Sequence, residues 1–399
     1  MGLSKKHLGI SESLTLAISA RAKAMKAAGL DVIGFGAGEP DFNTPDFIIE
    51  SAKEALDRGF TGYTSASGTK ELKEAICGKL QKDNGLEYNI DQVIVSNGAK
   101  HSLYNTLQAI LNPGDEVIIP VPYWVSYPEL VKMGGGKPVY VETKEEYGFK
   151  MEIEELKKVV TPRTKALILN SPSNPTGTVY EKGELEAIVE LAVEKGFFII
   201  SDEIYEKLIY DGVKHTSIAS LGPEIKDLTI VINGMSKAYA MTGWRIGYAA
   251  GRKDIIKVMS NIQSHSTSNP NSIAQYASVT ALTDPRAEEA IEMMVREFNQ
   301  RRKYMAEKLN NVNGLSCLLP QGAFYVFLNI GGVIGKSYQN KEIDGSLAFA
   351  DNLLEAEKVA VVPGVAFGAD NFVRLSYATS MDNISRGLER IERFIGKLE

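Results

Sequence analysis

The stretch "EKGELEAIVELAVEKGFFIISDEIY", Glu181 to Tyr205, changes periodicity part-way along. Up to Lys195 its apolar residues recur at helical spacing. Lys195 and Gly196 then read as a helix end, a cation beside the last carbonyls followed by a residue free to turn left-handed. From Phe197 four apolar residues run unbroken into Ser201 and Asp202. Such a run, bounded by glycine and polar residues, reads as a strand covered on both faces. A helix leading into a doubly covered strand is the repeating unit of a parallel sheet clothed in helices.

The same kind of strand recurs on either side. "VIVSNG" from Val93, "EVIIP" from Glu116, "PVYVET" from Pro138, "KALILNSP" from Lys165, "LTIVING" from Leu228 and "GYAAG" from Gly247 bring the strand candidates to seven. Helical-period stretches such as "KHSLYNTLQAIL" lie between them, so the middle of the chain is expected to be α/β with a largely parallel sheet. After Asp284 the pattern changes. A long amphipathic segment opens at Pro285, and short strands and helices follow, as in a separate α+β unit. The first ~45 residues are too few for a domain and are expected to pack on that C-terminal part or on a partner.

Bulk properties exclude several classes. The chain has 399 residues, 44% of them hydrophobic and 24% charged, with a formal net charge of −6. That length calls for about two domains, and the mild acidity argues against a nucleic-acid binder. No apolar run reaches transmembrane length, and "MGLSKKHLGISESLT" lacks the apolar core of a signal peptide. Two distant cysteines, Cys77 and Cys317, fit a reduced cytoplasmic protein. His7, His101, His215 and His265 are scattered, so no metal motif is expected.

Ligand groups in an open parallel sheet gather beyond the carboxyl ends of the strands. "SNGAK", "NSPSNPTG", "SDEIY" and "NGMSK" each follow a strand directly. Asp202 reads either as a helix N-cap or as a carboxylate facing a pyridinium nitrogen, with Tyr205 near the same ring. Asn174 reads as a turn residue or as an amide aimed at a ring oxygen. "SNGAK" is an ordinary helix start or a phosphate site built on one. Trp124 is a core tryptophan or a flat face for an aromatic cofactor. Arg374, inside "VRLSYAT", is an edge-strand surface residue or a carboxylate clamp. In "NGMSKAYAMTGWRIG", Lys237 and Arg245 are two surface charges or a Schiff-base lysine with a phosphate ligand. "GFGAGEP" lacks the glycine spacing of a dinucleotide loop, which weakens a dehydrogenase reading. "GGVIGKS" is one residue short of a phosphate-binding P-loop.

Taken in order, these motifs resemble the class I pyridoxal-phosphate-dependent aminotransferases, and within them the bacterial subgroup Ib aspartate aminotransferases. The resemblance runs from "VIGFGAGEPDFNTP" through "GYTSASGTKELKEAI" and the four strand-end motifs to "RLSYATS". It implies the fold type I of pyridoxal-phosphate transferases: a large domain over 46–284 with a seven-stranded, mostly parallel sheet. A small domain would combine residues 1–45, as an N-terminal arm, with 285–399. It implies pyridoxal 5′-phosphate on Lys237, with Asp202 at the ring nitrogen, Asn174 and Tyr205 at the ring oxygen, and Trp124 on the ring face. Gly98, Ala99, Lys100, Ser236 and Arg245 would surround the phosphate, with Tyr63 reaching it across a homodimer interface. Arg374 would hold the substrate α-carboxylate, helped by Gly38, Trp124 and Asn174, and Lys100 would face a distal carboxylate. The implied reaction is ping-pong transamination from aspartate to 2-oxoglutarate, with amino acids and 2-oxo acids as partners and no nucleic acid or membrane. An aromatic or alanine aminotransferase, a β-lyase and a cofactor-binding transcription regulator are the alternatives. Three departures from the family pattern concern Gly234, where many relatives have a serine for the phosphate, His101, where the subgroup usually has glutamine, and Ser11, whose lack of charge argues against prephenate.

Overall fold

The computed structural model describes residues 9–11 and 14–399, so His7 and most of the stretch "MGLSKKHLGISESLT" lie outside the described residues. All seven strand candidates enter one sheet: β1 (Val93–Ser96), β2 (Glu116–Val121), β3 (Lys137–Glu142), β4 (Thr164–Asn170), β5 (Phe198–Asp202), β6 (Thr229–Gly234) and β7 (Gly247–Ala250). Their order is β1-β7-β6-β5-β4-β2-β3. Strand β7 runs antiparallel to both its neighbours, and the remaining pairs are parallel. Apolar clusters cover both faces. Ile200, Ile230 and Ile232 pack on one side with Leu103 and Leu107, while Ile199, Leu167 and Leu169 pack on the other with Leu185 and Ile188. This explains why the strand runs are continuously apolar.

The helices that position the site are α1 (Leu14–Ala27), α2 (Lys70–Asn84), α3 (Ala99–Ile110) and α4 (Lys182–Lys195). Helix α2 is capped by Thr69, whose side chain accepts from the Leu72 amide, and ends in left-handed Gly85. Helix α4 opens with a Glu181–Glu184 capping box and closes on Gly196 at φ +72°, as its sequence requires.

A second, antiparallel sheet joins β8 (Tyr325–Asn329), β9 (Val362–Pro363) and β10 (Phe372–Ser376) in the order β9-β10-β8. The N-terminal segment meets this region: Ile33–Gly34 pairs in parallel with Val359–Ala360, and Ala22 and Val32 pack on Leu354 and Ala360. No helix among the described residues is long and apolar enough to cross a membrane.

Candidate active site

Four strand ends and one helix start open on a single cavity of about 430 Å³, within the range of small-molecule sites. Ala99, Lys100, Trp124, Asn174, Asp202, Tyr205, Ser236, Lys237, Arg245, Gly38 and Arg374 all line it. Two expected residues do not. Gly98 lies behind the wall as the cap of α3, at φ +86°, and Tyr63 is 94% exposed on the surface of this single chain.

Asp202 sits at the end of β5, where alternation points it to the cavity side. It is not a helix cap. Oδ2 accepts from the Tyr127 hydroxyl at 2.7 Å, and Oδ1 accepts from the Ile204 amide at 3.3 Å. Burial raises its pKa to about 6, against the pull of the Tyr127 hydrogen bond. Lys237 follows β6 and donates to the Gly38 carbonyl. Its half-buried amine lies 5.8 Å from the Tyr205 ring centre and 5.7 Å from that of Phe324. Desolvation lowers its pKa to about 8; Arg374 and Arg245 add to that, and Glu39 and Asp202 oppose it. An amine titrating there is half deprotonated at about pH 8, far below an ordinary lysine, so a sizeable share is available as a base near neutral pH.

Arg374 occupies the central strand β10, not an edge, and is 3% exposed. Nη1 donates to Asn174 Oδ1 at 2.8 Å and Nη2 to the Gly36 carbonyl at 3.2 Å, while Nε has no partner. The guanidinium lies 4.3 Å from the Tyr325 ring centre. A buried guanidinium held by neutral acceptors alone carries an uncompensated charge, a state that costs several kcal/mol and invites an anion.

At the opposite end, Gly98 and Gly247 allow very close backbone packing. A Cβ on Gly98 would stand 2.2 Å from Arg245 Nη2, and one on Gly247 would stand 2.1 Å from the Ala99 amide nitrogen. Arg245, at φ +60°, is thereby brought beside the first turn of α3, where unpaired N–H groups and the helix dipole favour a phosphate.

A family model for class I and II aminotransferases matches residues 30–391. The chain belongs to the class I and II aminotransferases. An aspartate aminotransferase of Geobacillus stearothermophilus is 53% identical over 395 residues, 99% of each chain. One from Bacillus subtilis strain 168 is 53% identical over 397 residues, 100% of each. The crystal structure of the aspartate aminotransferase from Rhizobium meliloti matches with a TM-score of 0.96 at 44% identity, covering 100% of both chains.

Within this aminotransferase the structure adds residues that strand-end reasoning missed. Tyr325 donates to or accepts from Tyr205 at 3.0 Å between hydroxyls, and Tyr127 fixes Asp202. Tyr127 was visible in "PYWVSYPE", but no local signal tied it to an acid 75 residues away. Gly234 has a packing role that its sequence did not reveal. A Cβ there would meet the Gly247 Cα and the Ile246 carbonyl oxygen, each at 2.8 Å, so this glycine serves the contact between β6 and β7. The scattered histidines also need revision, because His215 lies with Glu203 and Glu206 in one group whose donor atoms fall within 4.8 Å.

Proposed function

We propose that this aminotransferase binds pyridoxal 5′-phosphate in the cavity and exchanges the amino group of aspartate with 2-oxoglutarate in two half-reactions. The observation that carries this reading is the meeting of Lys237, Asp202 and Arg374, from three separate strands or strand ends, around one cavity. The cavity fits that cofactor. The α3 N-terminus with Ser236 and Arg245 suits its phosphate, Asp202 suits its ring nitrogen, and Lys237 supplies the amine for attachment. Asn174 Nδ2 and the Tyr205 hydroxyl would address the ring oxygen, since Asn174 Oδ1 already accepts from Arg374. Trp124 offers its ring face, and Tyr63 would enter from the second subunit of a homodimer.

When bound, the cofactor supplies an electron sink for the substrate Cα. Lys237, titrating near 8, takes the proton from that carbon and returns it one step later. Asp202 holds the opposing positive charge, and Arg374 fixes the α-carboxylate through its planar fork. Lys100, 4.8 Å from the Trp124 ring centre, stands ready for a second carboxylate, which favours aspartate over alanine or phenylalanine. Ser11 brings no cation to this wall; its backbone amide donates to Glu129, and prephenate is left out of the reading.

We also retain the division into residues 46–284 and residues 1–45 with 285–399. It is supported by the pairing of Ile33–Gly34 with Val359–Ala360. The unpaired cysteines Cys77 and Cys317 support a cytoplasmic setting. The test is spectroscopic: add pyridoxal phosphate to the purified protein, record the visible band, then add aspartate. Absence of a band overturns the reading, and a band indifferent to aspartate overturns only the substrate.

A further inference from the structure

Asp202 and Glu203 are neighbours in sequence and point to opposite faces of the sheet end. Glu203 is 1% exposed, and its amide extends the ladder by donating to the Ile232 carbonyl at 2.9 Å. Its Oε1 accepts from Ser201 at 2.8 Å and from Ser217 at 2.6 Å, and Oε2 faces His215 Nε2 at 3.1 Å. Glu206, 7% exposed, accepts from Lys79, from Asn84 at 2.8 Å and from Asn233 at 2.7 Å. Asn233 in turn accepts the Gly234 amide at 2.7 Å, three residues before Lys237. One buried group of charges therefore touches both strand ends that deliver Asp202 and Lys237, and touches neither side chain itself.

With both glutamates ionised, its charges balance in one way, which leaves the buried His215 Nδ1–H without an acceptor. Glu203 and Glu206 carry two negative charges and Lys79 one positive charge. The fourth inner member, His215, completes the balance as an imidazolium, and buried charges persist only when paired. Around them, Asp83 and Lys207 pair with each other at 2.8 Å. Tyr88, Tyr239 and Tyr248 present neutral hydroxyls whose pKa burial raises, and Asp227 lies beyond Tyr88. Asp202 is the charge on the far face. Burial works against the His215 charge, but Glu203 and Glu206 outweigh it and hold the imidazole pKa above its usual value.

We propose that Glu203, Glu206 and His215 are positioning residues of the transamination site, locking the ends of β5 and β6 together and setting, through the His215 imidazolium, the field felt by Asp202 and Lys237. The inference rests on the functional reading above. Charge sets the sign of each effect. Removing the Glu203 charge makes the site less favourable to protonated groups, and removing the His215 charge makes it more so.

The test has two arms. In cofactor-free protein, nitrogen NMR of labelled histidine, with the His215 signal assigned through its loss in His215→Gln, should show both ring nitrogens protonated at pH 7. In holoenzyme, the pH midpoint of the visible cofactor band should fall in Glu203→Gln and rise in His215→Gln, each by roughly half a pH unit or more. The double variant should return close to the parent midpoint. A neutral imidazole at pH 7 overturns the proposal, as do single variants that shift the midpoint in the same direction or not at all. If His215→Gln fails to fold, the His215 signal is assigned by elimination from single variants of His7, His101 and His265, and the parent NMR spectrum then decides alone. A parent protein with no band overturns the functional reading instead, which separates the two failures.

Discussion

The two faces of the sheet end treat charge in opposite ways. On the cavity face, Arg374 keeps an unpartnered Nε, Asp202 has a hydroxyl and an amide but, among the described residues, no cation within ion-pairing distance, and Lys237 rests on a carbonyl. On the other face, Glu206 alone engages a lysine and two amides. Burial raises Asp202 to about 6, whereas for Glu206 the lysine and histidine beside it overcome burial and lower it to about 2. The same residue types, a few positions apart, lack counter-charges on the cavity face and are ion-paired on the other, although His215 Nδ1 has no hydrogen-bond partner there. A binding site of this kind is a set of charges whose partners arrive later.

That contrast can be broken at either side. The largest effect is expected for Lys237→Ala, which removes the proposed base and attachment point. Turnover should fall by about 10³-fold or more, with loss of the visible cofactor band in the same sample. On the paired face, Lys79→Met strands the Glu206 carboxylate and should destabilise the protein by about 3–5 kcal/mol in urea unfolding. The Glu206 carboxylate favours the folded state above its unfolded value of 4.5, and that contribution is lost as pH falls toward about 2. The Lys79→Met deficit should therefore shrink below pH 4.5, since the lone carboxylate can then take up a proton.

Smaller effects sharpen the cavity side. Arg374→Ala should lower kcat/KM for aspartate by roughly 10²-fold, about 2.7 kcal/mol, and Arg374→Lys should recover little of it because a point charge cannot replace the fork. Lys100→Ala should cost about tenfold for aspartate and leave alanine nearly unaffected, seen as a change in the ratio of the two kcat/KM values. Finally, the rate of covalent cofactor attachment to the cofactor-free protein should rise with pH and level off above about 8, where the Lys237 amine is deprotonated. A plateau first reached near 10.5 would contradict the desolvated placement of that amine.

Much of this was legible in the sequence because the information is local. A doubly covered strand announces itself by composition, and the residue after it is placed by topology, so Asp202, Asn174 and Lys237 could be named without coordinates. Strand direction was not local. Nothing in "GYAAG" indicates that β7 opposes both neighbours, since periodicity carries no sign. Tyr127, Tyr325 and the His215 group were hidden for a related reason, as their partners lie on other elements. Arg374 was ambiguous because one strand's sequence does not reveal whether it lies at an edge or in the middle of its sheet.

The alternation of Ser201, Asp202 and Glu203 makes chain length at this point as binding as residue type. One inserted residue after Ile200 would turn each of these side chains to the opposite face. The cavity would then present Ser201 or Glu203 in place of Asp202, and His215 would face the wrong acid, although every residue would still be present.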